Sequence, residues 1–318
     1  MKNSVAVAEL TKAFDINPIY AARLASMVNL DRLIEEATVE IAEKPKPFVK
    51  WVGGKRQLLA QFRNMELYPP DGFNPVTSKY FEPFVGGGAV FFDLLPLNAE
   101  LSDLNQDLVT TYNVIKSDVE QLIESLKTHK YEKDYFLAIR SQDSSSLNDI
   151  EIAARFIYLN RTCFNGMYRV NSKGKFNVPF GRYTNPVICD EDNLRKVSKS
   201  LQNVEVKHQD YKAVLGSAKA GDFVYFDPPY YPVSKTASFT SYTSSAFLDK
   251  EQVELRDTVL ELHRRGCFVM LSNSDVPFIR EIYSNQDGIR MNSVSAGRSI
   301  NSKGSGRGKI SEVLVTNY

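Results

Sequence analysis

The chain has 318 residues, and its 39 Lys and Arg against 38 Asp and Glu give a formal net charge of +1. This length can hold one large α/β domain with an inserted or appended piece. The apolar runs are too short to span a bilayer, and the first residues lack a basic stretch followed by an apolar core, so we expect neither a membrane span nor a signal peptide. Three widely spaced cysteines, and three histidines without ligand spacing, argue against a disulfide framework and a metal site and predict a cytoplasmic protein.

The positions of the charges are more informative than their sum. Residues 155–182 and residues 290–309 carry only basic charged side chains, without any Asp or Glu. In a nearly neutral protein, two such stretches suggest surfaces that face a polyanion, although two solvated loops would have the same composition. Charge alone leaves both explanations open.

The first residues predict a separate small element. Apolar side chains recur at roughly helical spacing through residues 1–44. Pro45 and Pro47 then exclude helix and favour extended chain, so residues 1–45 are interpreted as a short helical N-terminal extension with its linker. The balanced charge of this segment gives little support to a DNA-binding helix-turn-helix and favours a packing or oligomerisation element.

Beyond the linker, short apolar runs alternate with helical patterns, which predicts an α/β domain with a mostly parallel sheet. The predicted strands cover residues 79–84, 99–102, 203–207, 222–226, 267–271 and 311–316. The predicted helices cover residues 55–64, 89–94, 106–116, 119–126, 150–160 and 250–265. Between residues 131 and 195, polar loops and aromatic residues surround several glycines. We therefore predict a main domain at residues 46–130 and 196–318 and a smaller module inserted at residues 131–195.

A glycine loop is the first motif with chemical content. Residues 81–91 are Phe-Glu-Pro-Phe-Val-Gly-Gly-Gly-Ala-Val-Phe, so a strand passes through three glycines into a helix. Glycines at this place allow a sharp turn and let the backbone approach a ligand. The next predicted strand leads into Asp103, whose carboxylate can accept hydrogen bonds from ribose hydroxyls. The spacing between the loop and Asp103 favours a nucleoside ligand over a plain turn.

The second motif is Asp227-Pro228-Pro229-Tyr230, directly after the strand predicted at residues 222–226. Ligands bind at the carboxyl ends of strands in open α/β sheets. The Asp227 carboxylate and the Pro228 carbonyl can both accept hydrogen bonds from one amino group, and the Tyr230 ring can stack on a planar base. A turn without function is the alternative, but these four residues follow a strand and have a glycine loop upstream, which argues against it.

Together these motifs resemble those of amino-methyltransferases, and further segments narrow the match. Residues 48–55, Phe-Val-Lys-Trp-Val-Gly-Gly-Lys, are similar to the opening motif of the Dam-type DNA adenine methyltransferases, the D12 class within the α group. Asn160-Arg161 with residues 164–169 and 174–183 is similar to the target-recognition segment of that family. Residues 298–300, Arg-Ser-Ile, resemble a short element near its C-terminus.

This resemblance covers residues 46–318 and implies a Rossmann-like S-adenosylmethionine-dependent methyltransferase fold, with residues 131–195 as an inserted, mainly helical target-recognition domain. It also implies a nucleoid-associated enzyme that methylates N6 of adenine in double-stranded DNA, with S-adenosyl-L-methionine as cofactor and no metal. The implied cofactor-binding residues are Trp51, Lys55, Phe84, Gly86, Gly88, Asp103 and Asp227. The implied catalytic residues are Asp227, Pro228 and Tyr230.

The same resemblance implies how DNA is recognised. The implied DNA-binding residues are Lys50, Arg161, Phe164, Asn165, Met167, Arg169, Pro179 and Tyr183. Phe164 is expected to fill space in the opened duplex and Arg169 to contact guanine, while Lys50 is a candidate for the guanine before the adenine. Arg161, Lys173, Lys175 and the C-terminal basic loop are expected to contact phosphates. The family's usual site is GATC, which is the predicted target sequence.

Two other functions remain open. A methyltransferase that acts on RNA adenine or on a protein glutamine shares the chemistry of the Pro-Pro-Tyr motif, but such enzymes more often have Asn before it and lack a segment like residues 164–183. A non-catalytic DNA-binding protein could keep the fold, but the intact glycine loop and Asp227-Pro228-Pro229-Tyr230 motif argue against this. A cognate restriction endonuclease is a possible partner that the sequence does not decide.

Overall fold

The computed structural model describes residues 44–51, 53–171, 174–233, 247–297 and 309–318. The predicted N-terminal helices, Lys173, and the C-terminal basic loop with residues 298–300 lie outside the described residues.

Seven strands and nine α-helices lie within the described residues. The strands are β1 (Tyr80–Glu82), β2 (Ala99–Asp103), β3 (Val204–His208), β4 (Phe223–Phe226), β5 (Phe268–Ser274), β6 (Arg290–Gly297) and β7 (Lys309–Thr316). The helices are α1 (Arg56–Asn64), α2 (Ala89–Leu94), α3 (Gln106–Ser117), α4 (Val119–Lys127), α5 (Lys133–Ser141), α6 (Asp149–Thr162), α7 (Glu191–Leu201), α8 (Asp249–Arg264) and α9 (Pro277–Tyr283).

All seven strands form one sheet in the order β3-β2-β1-β4-β5-β7-β6. Strands β1 to β5 pair in parallel, and β7 runs antiparallel between β5 and β6. The strand order reverses between β1 and β4, and ligands of open α/β sheets bind at the carboxyl ends of the strands beside such a reversal. The predicted Rossmann-like α/β methyltransferase fold is confirmed.

Burial on both faces explains why the central strand β4 is continuously apolar. In β4, Phe223 and Tyr225 contribute to the core on one face of the sheet, and Val224 and Phe226 contribute to the core on the other. The first core contains side chains of α1 to α4, α6 and α7, and the second contains those of α8 and α9. The sheet is thus covered by helices on both faces, which holds its carboxyl edge rigidly.

The structure confirms each strand and helix predicted within the described residues and adds one strand and three α-helices. Strand β6 was missed because it is an edge strand that pairs only with β7, and its sequence is mostly polar. Helices α5, α7 and α9 were also missed, although α7 begins with a capping side chain, Asp190, which accepts from the Asn193 N–H. Strand β5 continues three residues beyond its predicted end, through Ser272, Asn273 and Ser274.

The region predicted as an insertion contains α5, α6 and a loop that follows α6. Helix α6 begins with a capping box formed by Asn148 and Glu151. A small core of its own includes Phe136, Tyr158 and Phe176. The other face of α6 contributes to the main core through residues such as Phe156, and α7 continues across the predicted boundary at residue 195.

Candidate active site

The carboxyl ends of β1, β2 and β4 bring the two predicted motifs together. The glycine loop follows β1, Asp103 ends β2, and the Asp227-Pro228-Pro229-Tyr230 loop follows β4. Because β1 is hydrogen-bonded to both β2 and β4, these groups lie side by side at one edge of the sheet.

The glycine loop leaves no room for side chains. Gly86 and Gly88 have φ angles of 46° and 67°, in the left-handed region that favours glycine. A Cβ atom at Gly86 would lie 2.6 Å from Cδ1 of Trp51, and one at Gly88 would lie 2.6 Å from the Tyr112 hydroxyl. The loop backbone is therefore in direct contact with the indole of Trp51.

Asp103 is tied to this loop by backbone hydrogen bonds. Its Oδ2 accepts from the Gly86 N–H at 3.1 Å, and its Oδ1 accepts from the Asn105 N–H at 3.0 Å. Burial raises the pKa of Asp103, and these hydrogen bonds limit the rise because they favour the ionised form. The carboxylate is thus oriented by the loop, as expected for a ligand-binding acidic group.

Aromatic rings flank the loop on two sides. Trp51 stacks on Tyr168, with centroids 6.1 Å apart, and on Phe156, with centroids 6.5 Å apart. Phe84 stacks on Tyr211 at 5.4 Å. Neither Phe156 nor Tyr168 was predicted as a site residue, because both lie more than a hundred residues after Trp51 and only the fold brings them together.

Asp227 forms a buried ion pair with Lys55. The Lys55 ammonium lies 2.8 Å from Oδ1 and 2.9 Å from Oδ2 of Asp227, and Lys55 is 2% exposed. Burial raises the pKa of Asp227, while the positive charge of Lys55 lowers it. The Lys55 ammonium therefore favours the ionised, hydrogen-bond-accepting form of this carboxyl in a desolvated site.

Tyr230 is held by a residue that sequence reasoning missed. Its hydroxyl donates to Oε2 of Glu312 at 2.7 Å, and its ring centroid lies 4.9 Å from the Lys55 ammonium. Glu312 belongs to β7 and is 8% exposed. We call Lys55, Asp227, Tyr230 and Glu312 the Asp227 cluster. The sequence signal for Glu312 was an acid directly before the apolar run of residues 313–315.

Glu82, at the end of β1, is a second buried acid that was missed. Its Oε2 accepts from the Tyr80 hydroxyl at 2.9 Å and from the Phe91 N–H at 3.1 Å. Burial raises the pKa of Glu82 to about 8, and the nearby charge of Asp227 adds to the rise. The group is therefore largely protonated at neutral pH and adds little negative charge beside Asp227.

The Pro228 carbonyl belongs to the same loop. Within the described residues, no N–H or O–H group donates a hydrogen bond to it. The Asp227 carboxylate is partly exposed, with 23% of its side chain accessible. The two groups offer adjacent acceptors on one loop for a ligand with an amino group.

The recognition segment, residues 164–183, is joined to the opening motif by Asn160. The Asn160 amide group donates to the carbonyls of Lys50 and Gly166, at 2.8 and 2.9 Å. Its Oδ1 accepts from the Lys50 N–H at 2.8 Å. Lys50 is exposed, and its ammonium lies 4.2 Å from the centroid of the Tyr183 ring. Asn160 thus places Lys50 and Tyr183 on the same surface as the segment.

Three predicted DNA-binding residues of this segment are exposed: Phe164, Asn165 and Pro179. Phe164 is 51% exposed, which is unusual for so large an apolar side chain. Its N–H donates to the Pro179 carbonyl at 2.8 Å, so the two residues lie on neighbouring segments of the loop. Asn165 has a φ of 57°, which turns the chain sharply at this point.

The remaining predicted residues are more enclosed. The Nε of Arg169 donates to Oδ1 of Asn177 at 2.7 Å, and the Met167 carbonyl accepts from the Cys163 thiol at 3.1 Å. The Tyr183 hydroxyl donates to the Cys163 carbonyl at 2.9 Å. Arg161 donates to the Phe48 carbonyl at 2.8 Å, and burial lowers its pKa. Lys175 is exposed.

Two further properties concern the whole described part of the chain. No helix in it is long and apolar enough to cross a bilayer. No group of three or more His, Cys, Asp or Glu side chains in it is placed to hold a metal ion.

Comparison with known proteins agrees with this geometry. A family model for D12 class N6 adenine-specific DNA methyltransferases matches residues 51–300. The chain is 44% identical over 281 residues to the Type II methyltransferase M1.LlaDCHI of Lactococcus lactis subsp. cremoris, covering 86% of this chain and 95% of the relative. It is 45% identical over 291 residues to the Type II methyltransferase M.MjaIII of Methanocaldococcus jannaschii, covering 86% and 99%. It is 33% identical over 277 residues to the DNA adenine methylase of Escherichia coli K12, covering 86% and 95%. The chain belongs to the D12 class of N6 adenine-specific DNA methyltransferases.

Proposed function

We propose that this adenine-N6 DNA methyltransferase uses S-adenosylmethionine, acts within GATC, and rotates its target adenine out of the duplex. The observation that carries the proposal is the loop after β4. It presents the Asp227 carboxylate, the Tyr230 ring and the Pro228 carbonyl, to which no described group donates, together beside the glycine loop.

The residues around the glycine loop fit S-adenosylmethionine. The close approach of Gly86 to Trp51 keeps side chains away from the loop backbone, and Asp103 offers a carboxylate at the end of β2. Trp51, Lys55, Phe84, Gly86, Gly88, Asp103 and Asp227 are the residues that we propose to hold the cofactor. When bound, the cofactor supplies an electrophilic methyl group on a sulfonium.

The Asp227 cluster is suited to increase the reactivity of an adenine amino group. The lone pair of N6 is delocalised into the purine ring, which makes the amine a weak nucleophile. Two acceptors, Asp227 and the Pro228 carbonyl, favour a pyramidal amino group and localise this lone pair. Tyr230, fixed through Glu312, stacks on the base. Catalysis then rests on positioning and electrostatics, and no covalent enzyme intermediate is required.

Access to N6 requires base flipping. An enzyme that performs chemistry on a base inside a duplex extrudes the nucleotide into its pocket. The exposed ring of Phe164 is suited to fill the space that the adenine leaves, because it is held on the surface by the hydrogen bond between its own N–H and the Pro179 carbonyl.

We propose residues 131–195 as the target-recognition domain. We expect Arg169 to contact guanine, a contact worth about 1–3 kcal/mol of discrimination, and exposed Lys50 to contact the guanine before the adenine. Asn165, Met167, Pro179 and Tyr183 contribute further base or backbone contacts. Because its guanidinium already donates to the Phe48 carbonyl, Arg161 reaches a phosphate only through its remaining N–H groups.

The test is methylation of two duplexes of equal composition, one with GATC and one with GTAC at the same place. Purified full-length protein and S-adenosylmethionine are incubated with each duplex, and N6-methyladenine is measured by mass spectrometry. We expect methylation of the GATC duplex alone. Methylation of both, or of GTAC alone, would refute the proposed specificity and keep the enzyme class. The absence of N6-methyladenine from any DNA, together with transfer to RNA or to a protein glutamine, would favour the alternative substrates.

We further propose that the protein works on DNA in the cytoplasm, at the nucleoid, and that a cognate restriction endonuclease is its partner. Such a nuclease must cut the same unmodified sequence. Assaying a nuclease encoded beside this protein on methylated and unmethylated DNA tests the pairing, and cutting that ignores methylation by this enzyme would refute it.

A further inference from the structure

The loop after β4 contains two consecutive prolines, so its backbone has few ways to hold itself in place. Pro228 and Pro229 have no N–H to donate. Pro229 restricts Pro228 to extended conformations, but the peptide groups on either side of Tyr230 have no such restriction, so their direction must be set from outside the loop.

Three buried side chains bind the backbone immediately after Pro228. The Nε2 of Gln252 donates to the Pro229 carbonyl at 3.1 Å. The Oδ1 of Asn273 accepts from the Tyr231 N–H at 3.1 Å, and the Ser274 hydroxyl donates to the Tyr231 carbonyl at 2.6 Å. We call Gln252, Asn273 and Ser274 the loop clamp. Gln252 belongs to α8, and the other two end β5.

The members of the loop clamp also bind one another. The Nδ2 of Asn273 donates to Oε1 of Gln252 at 2.9 Å, and Oδ1 of Asn273 accepts from the Ser274 N–H at 2.8 Å. Gln252 and Asn273 are 0% exposed and Ser274 is 4% exposed. These bonds define the orientation of both amides. A buried network in which every polar group is hydrogen-bonded allows a single arrangement of the groups that it contacts.

We propose that the loop clamp is a set of positioning residues for methyl transfer, which fixes the peptide groups on both sides of Tyr230 and so aims the Tyr230 ring at the adenine. This inference rests on the proposed active site. Burying two amides is costly unless they are hydrogen-bonded, and these two direct a donor and an acceptor at the loop after Pro228. The Pro229 carbonyl is engaged by Gln252, and the neighbouring Pro228 carbonyl is left for the ligand.

The clamp should affect the chemical step more than cofactor binding. A shift of about 1 Å in a group that aligns the reacting atoms can cost on the order of 100-fold in rate. The clamp binds the loop on the side of Pro229 and Tyr231, away from the bonds that hold Asp103 and Trp51. We therefore expect kcat to fall while the Kd for S-adenosylmethionine changes little.

Strand β5 offers a matched pair of variants. Ser272 and Ser274 are two residues apart and are 1% and 4% exposed. Ser274 binds the loop, whereas the Ser272 hydroxyl shares a hydrogen bond of 2.9 Å with the Tyr225 hydroxyl in the core. Substitution of Ser272 by Ala removes this one bond, and substitution of Ser274 by Ala removes the bond to the loop and a longer one, of 3.5 Å, to Oδ1 of Asn273. Only Ser274→Ala removes a bond to the loop.

The experiment measures single-turnover methyl transfer by the full chain, with the rate expressed per folded molecule. We expect Ser274→Ala and Gln252→Met to slow transfer by about 10–100-fold. Ser272→Ala should keep the wild-type rate. Ser274→Thr, which retains the hydroxyl, should restore the wild-type rate. The Kd for the cofactor is measured by the fluorescence of Trp51, the only tryptophan among the 318 residues. It should stay within about twofold of wild type in all four variants, because none of them contacts the cofactor-binding residues.

Equal rates in Ser274→Ala, Gln252→Met and wild type would overturn the clamp, as would equal slowing by Ser272→Ala and Ser274→Ala. The variant Asp227→Ala separates this failure from that of the active site itself. If Asp227→Ala is inactive and Ser274→Ala is normal, only the clamp is wrong. If Asp227→Ala is fully active, the proposed active site is wrong as well.

Discussion

Charged side chains in the Asp227 cluster are buried or only partly exposed and are paired within the protein. In the recognition segment, by contrast, the side chains of Phe164 and Pro179 are exposed, and the bond described between these two residues joins their backbones. Lys55 is 2% exposed and binds Asp227, and Tyr230 binds Glu312. Phe164 is 51% exposed, and its backbone N–H bonds to the Pro179 carbonyl. In the Asp227 cluster the charged groups are already oriented by one another without a ligand. In the recognition segment the exposed side chains are available for contact with a ligand.

This difference predicts which property of the enzyme a substitution in each region should change. A change in the Asp227 cluster alters a preorganised, desolvated group and should lower the rate of transfer on every DNA sequence. A change at the surface of the recognition segment should alter which sequence is chosen, while the chemical step on a bound adenine is retained.

The largest expected effect is that of Asp227→Asn, which keeps the shape of the side chain but removes its charge. We expect kcat to fall by about 100–1,000-fold, because one oriented electrostatic contact to the transition state is lost. The matched control is Asp222→Asn, just before β4, where Asp222 is 1% exposed and accepts from the Lys79 and Lys219 N–H groups. It should reduce stability and leave kcat unchanged per folded molecule. Comparable losses of kcat in both variants would contradict the contrast between the two regions.

A smaller effect, on sequence choice, is expected for Arg169→Ala. Loss of a guanine contact of about 1–3 kcal/mol should reduce the ratio of kcat/KM values for GATC over single-base variants by about 5- to 150-fold. Arg182→Ala is the control, because Arg182 is exposed in the same segment and should weaken binding to all DNA in a salt-dependent way. Unchanged discrimination in Arg169→Ala would remove this residue from the recognition surface.

The variant Lys55→Met tests the Asp227 cluster through the pH dependence of kcat. Burial raises the pKa of Asp227 and Lys55 lowers it, so loss of the ammonium raises that pKa further. Methyl transfer needs the ionised carboxylate, so the rate falls as pH drops through this pKa. The acidic limb of the kcat profile, measured at saturating cofactor, should therefore move to higher pH. Lys79→Met, which breaks ion pairs with Glu100 and Glu205, should not move it.

The smallest expected effect is on stability and concerns Glu82→Gln. The pKa of Glu82 is raised from 4.5 in the unfolded chain to about 8 in the folded protein. The folded state then keeps a proton that the unfolded state releases, so the free energy of unfolding falls as pH rises from 4.5 to 8, by at most about 1.4 kcal/mol per pH unit from this group.

Urea unfolding of wild type and Glu82→Gln at pH 5 and pH 8 measures this contribution. The variant should gain stability over wild type as pH rises between these values, because the amide has no proton to release. Parallel pH dependence in the two proteins would show that Glu82 titrates normally.

The sequence predicted the parts of the fold whose signals are local. Strand β4 was recognised because burial on both faces makes it apolar throughout. The polar end of β5 and the edge strand β6 were missed, because their residues are stabilised by partners elsewhere in the chain. The extent of the recognition domain, residues 131–195, stays a prediction, and α6 packs on both its own small core and the main core.

The sequence by itself determined the two loops of the site, because the conformations that these loops adopt require particular residues. Gly86 and Gly88 occupy left-handed backbone, and Pro228 and Pro229 restrict the turn after β4. Tertiary structure alone decided what surrounds them. Tyr168 against Trp51, Glu312 against Tyr230 and Gln252 against Pro229 are contacts between residues far apart in the chain. No local pattern marks such partners, since a hydrogen bond or a ring contact depends on distances that only the packed sheet and its helices define.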